Sequence, residues 1–147
     1  MDPINHPIRH PSPEAGAQAL HPNIIAYKGM IAAFNSNDLS AMEALVDANL
    51  LYTIPGRSLI ACHTRGVAAH IQMLKRAREL SAGTLRLEPR AIAADGDYLV
   101  VWGRITAQRP GKHLDSDHCV MYNFEAGKIV EGRTVPIDLY VFDEFWS

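Results

Sequence analysis

The stretch IVEGRTVPID, residues 129–138, begins as a strand and ends on a bare carboxylate, Asp138. Its neighbours allow two readings. The helix-forming LYVFDEFW follows, and an Asp in front of a helix caps it by accepting from free backbone N–H groups. Alternation along the strand gives the other reading. If Asp138 faces inward, so do Pro136, Thr134 and Gly132, a row of small residues that leaves space for a ligand. A carboxylate among apolar walls has its pKa raised towards neutrality, as a general base or acid requires. The two roles are compatible, because a cap at a pocket mouth also meets a ligand.

Other groups could share that chemistry. Arg104 interrupts the apolar run LVVWGRI and has the strand parity of Trp102 and Val100. Turned inward, its guanidinium would orient a carboxylate or enolate oxygen, or pair with Asp138. Turned outward, it is a surface or dimer-face arginine. His118, on the strand before, is the candidate acid partner of Asp138. The segment HLDSDH offers the His-x-Asp spacing of iron sites in His113 and Asp115. His118 has the opposite parity, however, so the three do not converge and no metal is expected. Cys62 and His63 are adjacent, but adjacency does not supply the geometry of a thiolate and its base. His70 lies beside a buried stripe, where a satisfied structural histidine is the default.

These residues need a scaffold, and the hydrophobic pattern supplies one. Ile24, Tyr27, Ile31 and Phe34 recur at helical spacing from Asn23 onward. A second short helix carries Leu39, Met42, Leu45 and Val46, with Asp38 or Ser40 as its cap and Ser40–Glu43 at capping-box spacing. LLYTI (50–54) reads as a strand broken by Pro55-Gly56. A polar loop with Arg57, His63 and Arg65 follows, then a third helix with Val67, Ile71, Leu74 and Ala77 on one face. Beyond Gly83 the period drops to two and four strands follow, separated by DGD, RPGK and EAGK. Separators this short make antiparallel hairpins. Pro89 places the first of the four at an edge or on a bulge. The closing LYVFDEFWS reads as a short helix acting as a lid or plug.

The chain has 147 residues, 48% of them apolar and 20% charged, with a formal charge of -2. This is a soluble globular composition, sized for one domain with a respectable core. No apolar run of about 18 residues predicts a membrane span, and no basic stripe points to nucleic acid. Two cysteines are too few for a disulfide framework, which suits a reducing, cytoplasmic setting. Residues 1–22, with Pro3, Pro7, Pro11, Pro13 and Pro22 and with His6, His10 and His21, read as a flexible arm without a signal-peptide pattern. Residues 23–147 form the domain.

The order of elements resembles the α+β cone of nuclear transport factor two, ketosteroid isomerase and the SnoaL-like polyketide cyclases, a cystatin-like roll. The resemblance covers about residues 23–146 and is carried by FNSNDLSAMEALVD, YTIPGRSLIACHTRG, VMYNFEAGKIVEG and VPIDLYVFDEFW. It implies a curved, mostly antiparallel sheet wrapped around three N-terminal helices and enclosing an apolar pocket. The isomerase residues do not carry over: its base, oxyanion-hole tyrosine and protonated aspartate fall at Ile54, Met30 and Cys119. The cyclases' aspartate near the end of the last strand matches Asp138, with His118 as the neighbouring histidine. The implied pocket is walled by Tyr27, Met30, Tyr52, Ile54 and Trp102. Cys119, Met121, Thr134 and Pro136 complete it, with His63 in the roof. The implied function is cofactor-independent proton transfer beside a carbonyl of an apolar oxygenated molecule such as a polyketide or terpenoid: a cyclisation, isomerisation or dehydration. Asp138 would act as base, His118 as acid and Arg104 as oxyanion stabiliser. A non-catalytic carrier of such a ligand, or an epoxide hydrolase of the limonene type using an Asp–Arg–Asp relay, are the alternatives. A homodimer through the convex sheet face is expected.

Overall fold

The computed structural model describes residues 21–147. The proposed arm therefore lies outside the described residues, except for its end. His21 and Pro22 belong to the first helix instead. His21 caps α1 (Pro22–Asn35), its Nδ1 accepting the Asn23 N–H at 3.2 Å, and Pro22 occupies the first turn, where no N–H is needed. Ile24, Tyr27, Met30, Ile31 and Phe34 form its buried face, as their spacing predicts.

Helix α2 (Ser40–Leu45) is a six-residue segment. Its start differs from the capping box expected: Asp38 Oδ1 accepts from the Ser40 N–H at 2.9 Å and from its hydroxyl at 2.6 Å. Val46 leaves the helix and opens strand β1 (Val46–Ile54), four residues earlier than the apolar run LLYTI alone would start it. The polar loop after Gly56 contains a short strand, β2 (Cys62–Arg65), which pairs antiparallel with β1 through Thr53↔His63 and Ile54↔Cys62. Helix α3 (Val67–Leu80) follows, burying His70, Ile71, Met73 and Ala77.

The second half is the meander read from the sequence: β3 (Arg86–Asp95), β4 (Tyr98–Arg109), β5 (Lys112–Glu125) and β6 (Lys128–Pro136). The register of β3 on β4 slips after Pro89, and β3 is an edge strand, so the proline lies where a missing N–H and a bulge are tolerated. The sheet order is β2-β1-β6-β5-β4-β3, antiparallel except for β1 beside β6. Among the described residues, four helices and this six-stranded curved sheet make an α+β fold.

Helix α4 (Leu139–Trp146) closes the cone, burying Phe142, Phe145 and Trp146. Each such aromatic burial stabilises by roughly 2–3 kcal/mol. The Leu59 N–H donates to the Trp146 carbonyl at 3.0 Å, and Lys112 Nζ donates to the Glu144 carbonyl at 2.8 Å. Arg109 donates to the Phe145 and Ser147 carbonyls. These cations sit at the negative end of the helix dipole. Gly56, at φ +99°, lies so close to α4 that a Cβ there would overlap the Asp143 carboxylate, which accepts the Arg57 N–H at 3.0 Å.

Candidate functional site

The inward residues of the strands and the faces of α1, α3 and α4 enclose one cavity of about 70 Å³. Among the described residues its wall is apolar except for Tyr27, Tyr52, Tyr122, Thr134, His70, His118 and the indole N–H of Trp146, and it contains no Asp, Glu, Lys or Arg. Strand parity puts His118, Val120 and Tyr122 of β5 on the same inward face as Thr134 of β6. Gly132 pairs with Tyr52 on one side and Tyr122 on the other. A Cβ at Gly132 would stand 2.6 Å from the Tyr52 ring and 3.0 Å from that of Tyr122. The row of small residues on β6 does leave space, therefore, but two tyrosine rings fill it at Gly132. The hydroxyls of Tyr52 and Thr134 are 2.6 Å apart in a buried hydrogen bond. The Tyr52 ring packs on His70 with centroids 4.4 Å apart, and Tyr27 lies against Tyr122 at 5.8 Å.

Burial dominates the protonation of these groups. It pushes the Tyr52 hydroxyl up to about 12, against the opposing hydrogen bond from Thr134, and raises Tyr27 and Tyr122 as well. All three stay protonated and able to donate. Burial lowers His70 to about 4 and holds His118 below its ordinary value. Both imidazoles are therefore neutral near pH 7. Both ring nitrogens of His118 and Nδ1 of His70 are buried without a hydrogen-bond partner among the described residues. His118 is only 3% exposed. Gly103 makes room for it, since a Cβ there would come within 3.4 Å of the ring and 2.8 Å of the Glu88 carbonyl.

Several sequence expectations change place. Asp138 is exposed: β6 ends at Pro136, a bend over residues 137–138 breaks the alternation, and the carboxylate turns to accept the Val141 N–H at 3.1 Å. It caps α4 and does not line the cavity. Arg104 lies on the outer face of β4, held by two hydrogen bonds to Asp115 at 2.6 and 2.7 Å, where solvent screens the pair. The Asp–Arg–Asp relay of an epoxide hydrolase therefore has no counterpart in the cavity among the described residues. Trp102, Cys119 and Met121 share that outer parity and face away from the cavity. Met30 is buried but outside the lining, His63 is exposed on β2 with Nδ1 2.8 Å from the Thr53 hydroxyl, and Pro136 also stands outside the lining. Tyr27, Tyr52, Ile54, His118 and Thr134 do line it.

His70 and Trp146 are cavity residues that the sequence reading passed over. His70 read as a satisfied core histidine, yet its Nδ1 lacks a partner. Trp146, four residues after Phe142, was legible only as part of an aromatic plug. Among the described residues, no three His, Cys, Asp or Glu side chains cluster as metal ligands would. His113 and Asp115 face outward while His118 faces in.

A six-stranded cone with three helices against its concave side and a C-terminal helix in its mouth defines a class of small-molecule pocket folds. Within it, the sequence model of the SnoaL-like domain matches residues 27–132, and the chain belongs to that family. The structure of Bal32a from a soil-derived mobile gene cassette is similar at 33% identity, over 86% of this chain and 97% of that one, with a TM-score of 0.83. A cystatin-like protein of unknown function from Xanthomonas campestris shares 26% identity over 85% and 98% of the two chains, with a TM-score of 0.80. TerC, crystallised with polyporic acid, has 23% identity over 84% and 97% and a TM-score of 0.75, a likeness of fold. No curated protein matches the sequence. No helix among the described residues is long and apolar enough to cross a membrane.

Proposed function

We propose that the cone binds an uncharged, apolar, oxygenated molecule and moves a proton beside its carbonyl group without a cofactor. The observation that carries this reading is His118, a neutral imidazole buried on the cavity wall, which makes no full hydrogen bond among the described residues, although the Gly103 backbone is close enough to favour its protonated form. A ring nitrogen accepts a proton from the carbon next to the carbonyl. A protonated tyrosine hydroxyl, that of Tyr52 or Tyr122, donates to the enolate oxygen that forms. The imidazolium then returns the proton to another carbon of the conjugated enolate (isomerisation), to the alkoxide left when the enolate carbon attacks a second carbonyl of the same molecule (cyclisation), or to a β-hydroxyl that leaves as water (dehydration). With Asp138 on the surface, His118 takes both the acid and the base role.

Hydrogen–deuterium exchange tests this directly. The protein incubated with 1-indanone in D₂O should accelerate loss of the C2 hydrogens, followed by NMR, and His118→Gln should abolish the acceleration. Exchange unchanged in the variant would rule His118 out as the proton carrier. The lack of any carboxylate among the described residues lining the cavity supports a second reading, a non-catalytic carrier. Ligand binding without exchange in the wild-type protein would favour it.

We further propose a homodimer through the convex sheet face. Tyr98, Val100, Trp102 and Met121 are each at least 40% exposed there, forming an apolar patch bordered by the Arg104–Asp115 and Arg90–Asp117 pairs. An apolar patch rimmed by charge suits a self-complementary contact.

A further inference from the structure

Trp146 is fully buried, and its side chain forms part of the cavity wall. Its indole Nε1–H has no hydrogen-bond partner among the described residues. The residue is held in place: its carbonyl accepts the Leu59 N–H, and its ring lies edge-on to Phe145 with centroids 4.7 Å apart. An orphaned donor inside a protein is costly, and each such group asks for a partner. An indole N–H only donates, so the partner must be an acceptor. The rest of the cavity wall is equally selective. Among the described residues no cation lines it, and both histidines are held neutral, so an anion entering would lose its hydration without a counter-charge.

We propose that Trp146 is a ligand-binding residue whose indole N–H donates to an uncharged oxygen, a ketone or ether, of the molecule held in the cone. The assignment rests on the cavity being the ligand site. It makes helix α4 part of the binding surface as well as the closure of the cone. An oxygenated ligand gains a hydrogen bond there, a hydrocarbon of the same shape does not, and a carboxylate is disfavoured by the missing cation.

The chain has two tryptophans, and Trp102 is on the outer sheet face, so it serves as an internal reference. The full-length protein labelled with ¹⁵N-tryptophan gives two indole N–H signals, assigned with Trp102→Phe. Titration with 1-indanone should move the Trp146 signal downfield and leave that of Trp102 in place. Both probes exceed the cavity of about 70 Å³, so each must push wall side chains apart to enter. Indane should do so while moving the Trp146 signal far less, and indane-1-carboxylate should bind more weakly than either. Trp146→Phe should weaken 1-indanone roughly two- to tenfold, the effect of one neutral hydrogen bond, and leave indane nearly unchanged. If 1-indanone shifts the Ile54 and Ile60 methyl signals while the Trp146 indole stays still, the donor assignment is overturned and the cavity reading survives. If neither probe perturbs those methyls, both fall. Should Trp146→Phe fail to fold, the wild-type titration decides alone.

Discussion

Acidification should destabilise this fold through His70 in a way that a single substitution removes. His70 is 3% exposed and packed on Tyr52, and burial lowers its pKa from 6.5 to about 4. Between those two values the unfolded chain binds a proton that the folded chain refuses, so stability falls as pH drops from 6.5 towards 4. Below 4 both states are protonated and the loss is complete. Above 6.5 both are neutral and nothing is lost. At about 1.4 kcal/mol per pH unit, the full gap is worth about 3 kcal/mol. The measurement is urea unfolding at pH 7 and pH 4.5 for the wild type and for His70→Leu, which is similar in volume and cannot titrate. Carboxylates and His118 contribute alike to both proteins, and the double difference cancels them. The wild type should lose about 2 kcal/mol more than the variant over that interval. Equal losses would mean that His70 is hydrated or paired in solution, and the dry cavity drawn around it would be wrong.

Three further outcomes follow from the geometry. Gly132→Ala should cost roughly 1–3 kcal/mol by thermal or urea unfolding, because its methyl would meet the rings of Tyr52 and Tyr122. Tyr52→Phe and Thr134→Val should each cost about 1 kcal/mol. The double variant should cost less than their sum, since one hydrogen bond joins the two hydroxyls. Trp102→Glu with Met121→Glu should convert a dimer to a monomer in sedimentation without lowering the unfolding midpoint of the monomer. A monomeric wild type would refute the convex-face contact.

Most of the scaffold was legible because its signals are local. The separators DGD, RPGK and EAGK fall at the three hairpin turns, and alternation in VVWGRIT and HCVMYNF follows burial residue by residue. Strand β2 was missed because CHTR has no apolar run; pairing with β1 makes it a strand, and that pairing is tertiary. The site was harder to read for the same reason. Parity along β6 correctly turned Thr134 inward, but extrapolating it through the bend at 137–138 misplaced Asp138. Arg104 and Trp102 shared a parity, as their spacing required, yet spacing alone could not say which face of the sheet the core would take. The cavity groups that were overlooked, His70 and Trp146, lie on helices and meet the strands only when the cone closes.

The parallel contact between β1 and β6 also governs when the molecule can form. Strand β6 sits in the middle of the sheet although it is the last strand made, and β1 waits some eighty residues for it. A growing chain can complete the β3–β4–β5 hairpins early, but the central seam stays open until residue 136 has left the ribosome. Removing even the last twenty residues would take away an interior strand and the plug together, so shortened chains should be refolding failures rather than smaller working domains.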